Sequence, residues 1–527
     1  MHNQNFKNFF ALLLIALLPF VSVAQQKVNW QNLDLKTDSV FGISTEKAYK
    51  ELLKGKKAVP VIVAVLDGGV DLNHEDLKTV IWNNKKEVAG NGVDDDKNGY
   101  IDDVHGWNFL GGKNGSIEFE NLELTRLVRR DIARFANVTA ATVAAKDKAD
   151  YETFIENRAE LEKRLATAKS DLQGITGFKY YLDQVVKKIG KPNPTLADFQ
   201  NFKPTGQQEA GVQAAIVDIL KKEPDFNALY ENELVAGVKQ ATEQVKYNLN
   251  LEYDPRSIVG DDQQNDAERF YGNNDIKGPD ALHGTHVAGI IGADRSNTIG
   301  IKGVADHVII IGVRNTPNGD ERDKDVANAI RYAADNGAKV LNMSFGKSYS
   351  WNKAVVDEAV KYAISKDVLL VQAAGNDNHD IDIEKNYPSR KYLDGQVASS
   401  YIVVGASGSK DDETLKAPFS NYGKTSVDVF APGVRIRSTV PDNKYLEEDG
   451  TSMAAPVVTG LAALIRSYYP KLTAVQVKDI ILKSVVKVNH PISNMKDADT
   501  VSLSFSDLCV TGGIVNAYNA LKLAASY

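Results

Sequence analysis

Three residues far apart in the sequence carry the side chains that a hydroxyl needs to attack a carbonyl group. Asp67 follows an apolar run, His283 precedes another, and Ser452 lies two residues after a glycine. A serine hydroxyl becomes a nucleophile when an imidazole takes its proton and a carboxylate holds that imidazole in place. Together the three side chains indicate acyl-transfer chemistry.

Each of the three has a simpler explanation when it is considered alone. An aspartate followed by two glycines, as at Asp67, is most often part of a turn. His283 and His286 could bind a metal as a pair, although no nearby third ligand completes a familiar zinc pattern. Ser452 could simply cap a helix. The combination favours the catalytic interpretation, with His286 in a structural role.

An amide side chain adds a fourth group. Asn376 closely follows the apolar run 368–371, so we expect it near the carboxyl end of a strand, where open α/β sheets place their chemistry. Its side chain could donate a hydrogen bond to the oxyanion that forms during attack. Ser452 is expected at the start of a helix, where unpaired backbone N–H groups also suit an oxyanion.

The hydrophobic pattern predicts the scaffold that must position these groups. Short, nearly continuous β-branched runs are typical of strands that are buried on both faces of a parallel sheet. Between them, the stretches 325–336 and 351–366 have the length of crossover helices. The pattern predicts an α/β domain. The apolar runs lie at 61–66, 308–313, 340–343, 368–371 and 402–405.

Residues 120–250 break this alternation, because they contain no strand-like run and are rich in Lys, Glu, Ala and Leu. Apolar residues recur there at helical spacing. We expect a helical insertion, either a hairpin or small bundle packed on the main domain or a regulatory or substrate-selecting unit. The two apolar stripes are Phe154, Leu161, Leu165, Ala168 and Leu172, and Val212, Ala215, Ile216, Ile219 and Leu220.

The motifs around the four groups, in the order Asp, His, Ser, resemble the subtilisin-like serine protease family. The resemblance covers residues 60–118 and about 252–525. The order differs from that of the α/β-hydrolases, which also need a glycine two residues after the serine, where Ala454 stands here. The motifs themselves occupy residues 63–70, 283–291, 371–376 and 449–460.

The resemblance implies a three-layer fold, with a mainly parallel sheet between helices, and a role for each group. Asp67 would orient the imidazole, His283 would act as general base and then acid, and Ser452 would attack the scissile carbonyl. Asn376 and the backbone N–H of Ser452 would form the oxyanion hole. The implied substrate-binding residues are Ser344, Phe345, Gly346 and Gly375.

One position departs from the family pattern. Gly68 follows Asp67 where the family usually has Ser or Thr, so a hydroxyl that supports the carboxylate is missing. We expect this change to tune the activity without abolishing it.

An acidic segment predicts bound calcium. Residues 94–105 place oxygen ligands around a glycine as the start of an EF-hand loop does, although His105 stands where that loop needs Glu. The alternative is an acidic turn without an ion. The family resemblance implies a second calcium site at Asp76 and Asn297. The ligands predicted for the first site are Asp94, Asp96, Asn98 and Asp102.

The N-terminus resembles a secretory signal peptide, with Lys7 before an apolar stretch and small residues that predict cleavage after Ala24. The apolar stretch is shorter than the about 20 residues of a membrane span, which disfavours the alternative of an uncleaved anchor. The predicted organisation is a signal peptide (1–24), a short N-terminal segment (25–58), a peptidase domain (59–119 and 251–527) and the helical insertion (120–250).

The net charge and the single cysteine limit which partners and which cross-links the chain can have. The formal net charge of −7 does not suggest nucleic acid or anionic lipid as a partner. The single cysteine, Cys509, excludes an intrachain disulfide and lies in an apolar stretch where burial is expected. We therefore expect a calcium-stabilised, secreted or periplasmic serine endopeptidase that acts on proteins or peptides. The alternative is a catalytically inactive peptide-binding or chaperone-like protein on the same fold.

Overall fold

The structure, a computed structural model, describes residues 27–496 and 499–527, so the predicted signal peptide (1–24) lies outside the described residues. These residues form two compact units, a larger one from residues 27–123, 255–496 and 499–527, and a smaller one from Leu124–Asp254. In the part of the chain that is described, no helix is both long enough and apolar enough to cross a bilayer.

The larger unit is built on one sheet, and every apolar run predicted as a strand contributes to it. In chain order the strands of the protein are β1 (Val61–Asp67), β2 (Gly106–Asn108), β3 (Gly111–Gly112), β4 (Gly115–Ser116), β5 (Val308–Arg314), β6 (Val340–Met343), β7 (Leu369–Ala373), β8 (Tyr401–Ser407), β9 (Val429–Pro432), β10 (Ile436–Val440), β11 (Lys444–Glu448), β12 (Val486–Lys487), β13 (Pro491–Lys496), β14 (Asp499–Ser504) and β15 (Gly513–Ile514).

Nine of these strands pair in the order β12-β15-β9-β8-β7-β6-β1-β5-β2. Their pairing is parallel except between β12 and β15. The remaining strands form three antiparallel hairpins, β3 with β4, β10 with β11 and β13 with β14. The predicted mainly parallel sheet is confirmed.

The helices follow the strands as crossover connections and as a separate helical segment. In chain order they are α1 (Leu35–Asp38), α2 (Thr45–Ala48), α3 (Glu123–Arg134), α4 (Lys148–Ile189), α5 (Leu196–Asn201), α6 (Gln207–Leu220), α7 (Phe226–Ala228), α8 (Ala236–Glu243), α9 (Leu282–Gly292), α10 (Asp323–Asp335), α11 (Lys353–Ser365), α12 (Thr451–Tyr468), α13 (Ala474–Lys483) and α14 (Ala517–Ala524).

Alternate residues of β1 enter two different apolar clusters, one on each face of the sheet. Val63 and Val65 pack in the cluster that contains residues of α9 and α12. Ala64 and Leu66 pack in the cluster that contains residues of α10 and α11. Because side chains of a strand alternate between faces, the sheet must lie between these two helical layers. The three-layer α/β fold is thereby confirmed.

The smaller unit is helical, as the apolar stripes indicate. Its longest helix, α4, has 42 residues, and α6 buries all five residues of its predicted stripe. Side chains of both helices share one apolar cluster. Since β-strands are missing from Leu124–Asp254, this unit forms its own core from helices alone.

Cys509 is fully buried and free, as expected for a small apolar residue in the core. Burial raises the pKa of its thiol, which disfavours the reactive thiolate.

Candidate active site

Predicted site residues lie at the carboxyl ends of three neighbouring strands. β7, β6 and β1 are adjacent and parallel, so the residues that follow them lie at one edge of the sheet. Asp67 ends β1, Ser344 follows β6, and Asn376 comes shortly after β7. The sheet therefore brings together residues that are hundreds of positions apart in the sequence.

Asp67 and His283 form a hydrogen-bonded pair. His283 lies in the first turn of α9, and its Nδ1 is 2.8 Å from Oδ1 of Asp67. The close approach depends on Gly284, because a Cβ there would stand 2.2 Å from the carbonyl oxygen of Gly69. With Nδ1–H donating to the carboxylate, Nε2 is left as a proton acceptor.

The Asp67 carboxylate is only partly satisfied. Its Oδ1 also accepts a hydrogen bond from the Gly68 backbone N–H at 2.7 Å. Its Oδ2 is buried and has no hydrogen-bond partner among the described residues. This orphaned oxygen is the atom that a hydroxyl at position 68 could have served, in line with the departure from the family pattern at Gly68.

The surroundings of His283 raise the pKa of its imidazole. Burial, the largest single effect, opposes the charged form. The Asp67 carboxylate, its hydrogen bond and the negative charges of Glu448 and Asp280 together outweigh burial. His286, one turn further along α9, behaves differently, because burial lowers its pKa to about 4 and its Nε2 donates to the Leu446 carbonyl at 3.2 Å. These features fit the structural role expected for His286.

Ser452 is held against the predicted substrate-binding segment. It is the second residue of α12, and its Oγ donates to the Ser344 carbonyl oxygen at 3.1 Å. The Ser344 Oγ donates in return to the Ser452 carbonyl at 2.9 Å. The Ser452 hydroxyl therefore points to the Ser344 carbonyl oxygen, and no hydrogen bond joins it to His283 in the part of the chain that the structure describes.

Pro456 explains why the Ser452 carbonyl is free to bond Ser344. In a regular helix this carbonyl would accept the N–H of the residue four positions later, which is Pro456. Proline has no N–H, so the helix leaves that carbonyl unpaired. The Ser344 hydroxyl uses it instead, and Asn342 fixes that hydroxyl by donating from Nδ2 at 2.9 Å. The missing helix hydrogen bond at Pro456 thus lets Ser344 bind to Ser452.

Asn376 presents its amide N–H groups to the site because Thr451 occupies its oxygen. The Thr451 backbone N–H and hydroxyl both donate to Asn376 Oδ1, each at 2.9 Å. The Thr451 Oγ in turn accepts the Gly375 N–H at 3.0 Å. Nδ2 is thereby left as a donor near the start of α12, where the Ser452 N–H also lacks a partner within the helix. The serine motif contains Thr451, but the motif alone does not indicate this orienting role.

A pocket of about 330 Å³ opens beside Ser452. The predicted substrate residues Ser344, Phe345 and Gly346 line it on one side, and Gly375 lines it together with Asn376. Backbone hydrogen bonds between Lys347 and Tyr387 in both directions join the segment 344–346 to the segment that contains residues 384–386, which also line the pocket.

The predicted calcium ligands do not all point to one place. Asp102 caps a turn, because its carboxylate accepts the backbone N–H groups of residues 90, 91 and 92. Asp94 likewise accepts the N–H groups of Asn98 and Gly99. Carboxylate oxygens of Glu87, Asp96 and Asp103 converge instead, all within 4.8 Å of one another. Of the predicted set, Asp96 belongs to this group, and Asn98 donates from Nδ2 to Asp103 at 3.0 Å.

The Glu87, Asp96 and Asp103 cluster has the chemistry that a divalent cation needs. Glu87 is only 9% exposed, and its Oε2 is buried with no hydrogen-bond partner in the described part of the chain. Burial, together with the charge of Asp96, raises the pKa of Asp103 to about 6. Three crowded carboxylates with an orphaned oxygen fit a hard cation such as calcium. Glu87 lies outside the EF-like spacing, so no motif in the sequence points to it.

Asp76 and Asn297 also meet, but as a hydrogen-bonded pair. Asn297 Nδ2 donates to one carboxylate oxygen at 2.7 Å, and the Ile301 N–H donates to the other at 3.0 Å. The structure thus brings the two predicted residues together, and a second calcium site there stays a prediction, because each carboxylate oxygen keeps a further lone pair beside its N–H donor.

Comparisons with known proteins show the family to which the chain belongs. A family model described as "Subtilase family" matches residues 60–499. Over 186 residues the chain is 44% identical to the thermophilic serine proteinase of Bacillus sp. (strain AK1). This aligned stretch covers 35% of this chain and 42% of that protein. Over 241 residues the chain is 41% identical to thermitase of Thermoactinomyces vulgaris, and this stretch covers 46% of this chain and 75% of thermitase.

Among solved structures, a protease from Pseudoalteromonas arctica PAMC 21717 matches with 27% identity and a TM-score of 0.39, over 48% of this chain and 79% of that one. The chain spans less than half of the length of the Bacillus proteinase. The family match covers well over half of the 527 residues, so the chain belongs to the subtilase family.

Proposed function

We propose that the protein is a serine endopeptidase that cleaves peptide bonds through an acyl-enzyme on Ser452. The observation that supports the proposal is that the Asp67–His283 pair lies at the end of β1, while Ser452 is hydrogen-bonded to Ser344 after the adjacent strand β6. The oriented amide of Asn376 follows the next strand, β7. These groups supply the base, the nucleophile and the oxyanion donor of a serine peptidase.

The proposed reaction begins when substrate backbone adds beside Ser344 and Gly346 as an extra strand. A substrate N–H then takes the Ser344 carbonyl, which frees the Ser452 hydroxyl to turn toward His283. Nε2 of His283 accepts the hydroxyl proton while Oγ attacks the scissile carbonyl. Asn376 Nδ2 and the Ser452 N–H hold the oxyanion.

His283 then gives its proton to the leaving amine, and the carbon–nitrogen bond breaks to leave the acyl-enzyme. Water enters, loses a proton to His283 and attacks the ester carbonyl. The bond between that carbon and Ser452 Oγ then breaks, Oγ takes the proton back from His283, and the released acid carries the new carbon–oxygen bond. Asp67 stabilises the imidazolium in both halves and does not itself take a proton. We further propose that the protein acts outside the cytoplasm, because its N-terminus resembles a secretory signal peptide.

Casein hydrolysis by the chain expressed without residues 1–24 tests the proposed activity. We expect proteolysis that stops when a fluorophosphonate has reacted with the protein. A folded protein that binds casein-derived peptides and hydrolyses none of them would contradict the proposal and favour the peptide-binding alternative.

The charge near His283 sets the expected pH dependence. Because a raised pKa keeps the imidazole protonated, and so inactive as a base, activity should be lost as the pH falls through that pKa. Glu448→Gln removes one of the negative charges that raise it. We expect the acidic limb of the kcat/KM profile to move to lower pH in this variant.

Glu447→Gln provides the matched control, because Glu447 is paired with Arg435 at 3.0 Å and is not among the groups that act on His283. The measurement is kcat/KM against pH for the wild type, Glu448→Gln and Glu447→Gln on one peptide substrate. An unchanged or upward-shifted limb in Glu448→Gln would contradict the electrostatic account.

We also propose a structural calcium ion held by Glu87, Asp96 and Asp103. When bound, the ion would neutralise mutual repulsion among these carboxylates and cross-link the segment 87–103. Calcium is a ligand of the folded state, so it should stabilise the protein, by about 2.7 kcal/mol when its free concentration is 100 times the Kd.

Calcium removal is expected to lower the Tm by several degrees and Glu87→Gln to abolish most of that difference. Asp95→Asn is the control, because it removes one charge from the same segment without removing a ligand of the cluster. Thermal unfolding with calcium and with chelator checks both variants. Equal calcium responses in the wild type and in Glu87→Gln would show that the ion does not bind at this cluster.

A further inference from the structure

We propose that the pocket beside Ser452 selects a substrate residue whose side chain ends in N–H groups, lysine above all, on the acyl side of the cleaved bond. This inference rests on the proposed function and names the substrate class of that same site.

The lining of the pocket is mostly polar. An apolar substrate side chain would strip water from these groups without replacing their hydrogen bonds, which costs free energy. A side chain with N–H donors would replace that water. Apolar contacts come from Phe345, Ala373 and Ile381, whereas polar groups come from Asp377, His379, Glu384, Lys385 and Asn386.

Asn386 supplies a hydrogen-bond acceptor in the lining of the pocket. Its Nδ2 donates to the Ala374 carbonyl at 3.2 Å, which fixes the amide and turns Oδ1 toward the opposite wall. If residue 346 had a Cβ, that atom would lie 2.9 Å from Oδ1 of Asn386. Because Gly346 has no side chain, the space between the two residues is left to the pocket, which both of them line. No donor bonds this Oδ1 in the residues that the structure describes. A substrate N–H is the partner that it lacks.

The charges around the pocket favour a cation over a neutral amide. Asp377 and Glu384 bring two carboxylates and Lys385 brings one ammonium, and all three residues are exposed, so the negative charges outnumber the positive one. Lys347 also lines the pocket, but its ammonium is buried and compensated by Glu123 at 2.5 Å and Asp323 at 2.7 Å.

Matched substrates separate donor chemistry from size. Lysine is compared with norleucine, and glutamine with methionine, on the acyl side of the bond in otherwise identical peptides. Because hydrogen bonds that involve a charge are stronger than neutral ones, we expect kcat/KM to favour lysine over norleucine by about tenfold or more, and glutamine over methionine by less. Equal or higher kcat/KM for the apolar member of both pairs would overturn the proposal.

Three variants assign the effect to residues. Asn386→Leu removes the acceptor and should reduce both preferences, whereas Asp377→Asn should reduce the lysine preference alone. Lys385→Met provides a control of opposite sign, since loss of its positive charge should increase the lysine preference. Unchanged substrate preferences in Asn386→Leu and Asp377→Asn would show that these residues do not cause the preference. Poor folding of a variant does not affect this conclusion, because kcat/KM is measured per titrated active site.

Fluorophosphonate titration of every preparation keeps this test apart from the proposed function. A protein without titratable sites would mean that the proposed function has failed. Titrated sites that hydrolyse casein but show no preference for N–H donors would mean that the inference about the pocket has failed by itself.

Discussion

Ser452→Ala is expected to reduce kcat by about 10⁶-fold, which is the size of the loss for the corresponding serine of subtilisin, a member of the same family. The physical reason is that the variant has no nucleophile beside the Asp67–His283 pair, since the neighbouring Thr451 hydroxyl is bonded to Asn376 Oδ1. The measurement is kcat for a chromogenic peptide, with protein concentration fixed by absorbance.

The Ser452→Ala protein should keep its fold, because the residue loses only one hydrogen bond, that of its Oγ to the Ser344 carbonyl. Its Tm should therefore stay close to that of the wild type. A variant that retains a substantial part of the activity with normal folding would show that another group performs the attack.

Asn376→Ala is expected to lower kcat by about 100- to 1000-fold with little change in KM. This range is the loss that follows removal of one oxyanion donor, an asparagine, from subtilisin. The effect falls on kcat because the Nδ2 donor meets charge that develops only during attack. Steady-state kinetics on one peptide substrate give both constants.

Thr451→Val provides the companion measurement for Asn376. It removes the hydroxyl that donates to Asn376 Oδ1 at 2.9 Å but leaves the Thr451 backbone N–H bonded to the same oxygen. We expect a smaller loss of kcat than in Asn376→Ala, because the amide keeps one of its two anchors. A larger loss in Thr451→Val would mean that the hydroxyl itself contacts the oxyanion.

Much of the fold follows from local sequence pattern. The buried runs that form β1, β5, β6, β7 and β8 are nearly continuous apolar stretches, whereas a strand exposed on one face would alternate between apolar and polar residues. The place of Asp67 at a strand end follows from the same pattern. Motif order then links it with His283 and Ser452, although nothing in the local sequence reports how close they lie.

The proposed calcium ligands Glu87, Asp96 and Asp103 show a limit of such patterns. The EF-like spacing suggests Asp94 and Asp102 as ligands, but a carboxylate can equally cap backbone N–H groups, and both residues do so here. Asp102 adopts a left-handed φ of 55°, which turns the chain so that Asp103 faces Glu87 and Asp96. Only the folded chain reveals that convergence, because Glu87 lies outside the loop motif.

Thr451, Pro456 and Asn386 illustrate a second limit. Thr451 and Pro456 stand inside the serine motif, but their roles depend on which carbonyl or amide their neighbours present. Asn386 lies in a loop whose path across the pocket the sequence does not specify. Hydrogen-bond direction, unlike hydrophobic period, leaves no repeating signal in a sequence.

The most direct test of the catalytic account is covalent labelling with a fluorophosphonate followed by mapping of the modified peptide. The account predicts one modified residue, Ser452, and labelling that slows strongly in His283→Ala because the base is lost. Labelling at another residue, or none in a folded protein, would contradict the assignment of Asp67, His283 and Ser452 as a working triad.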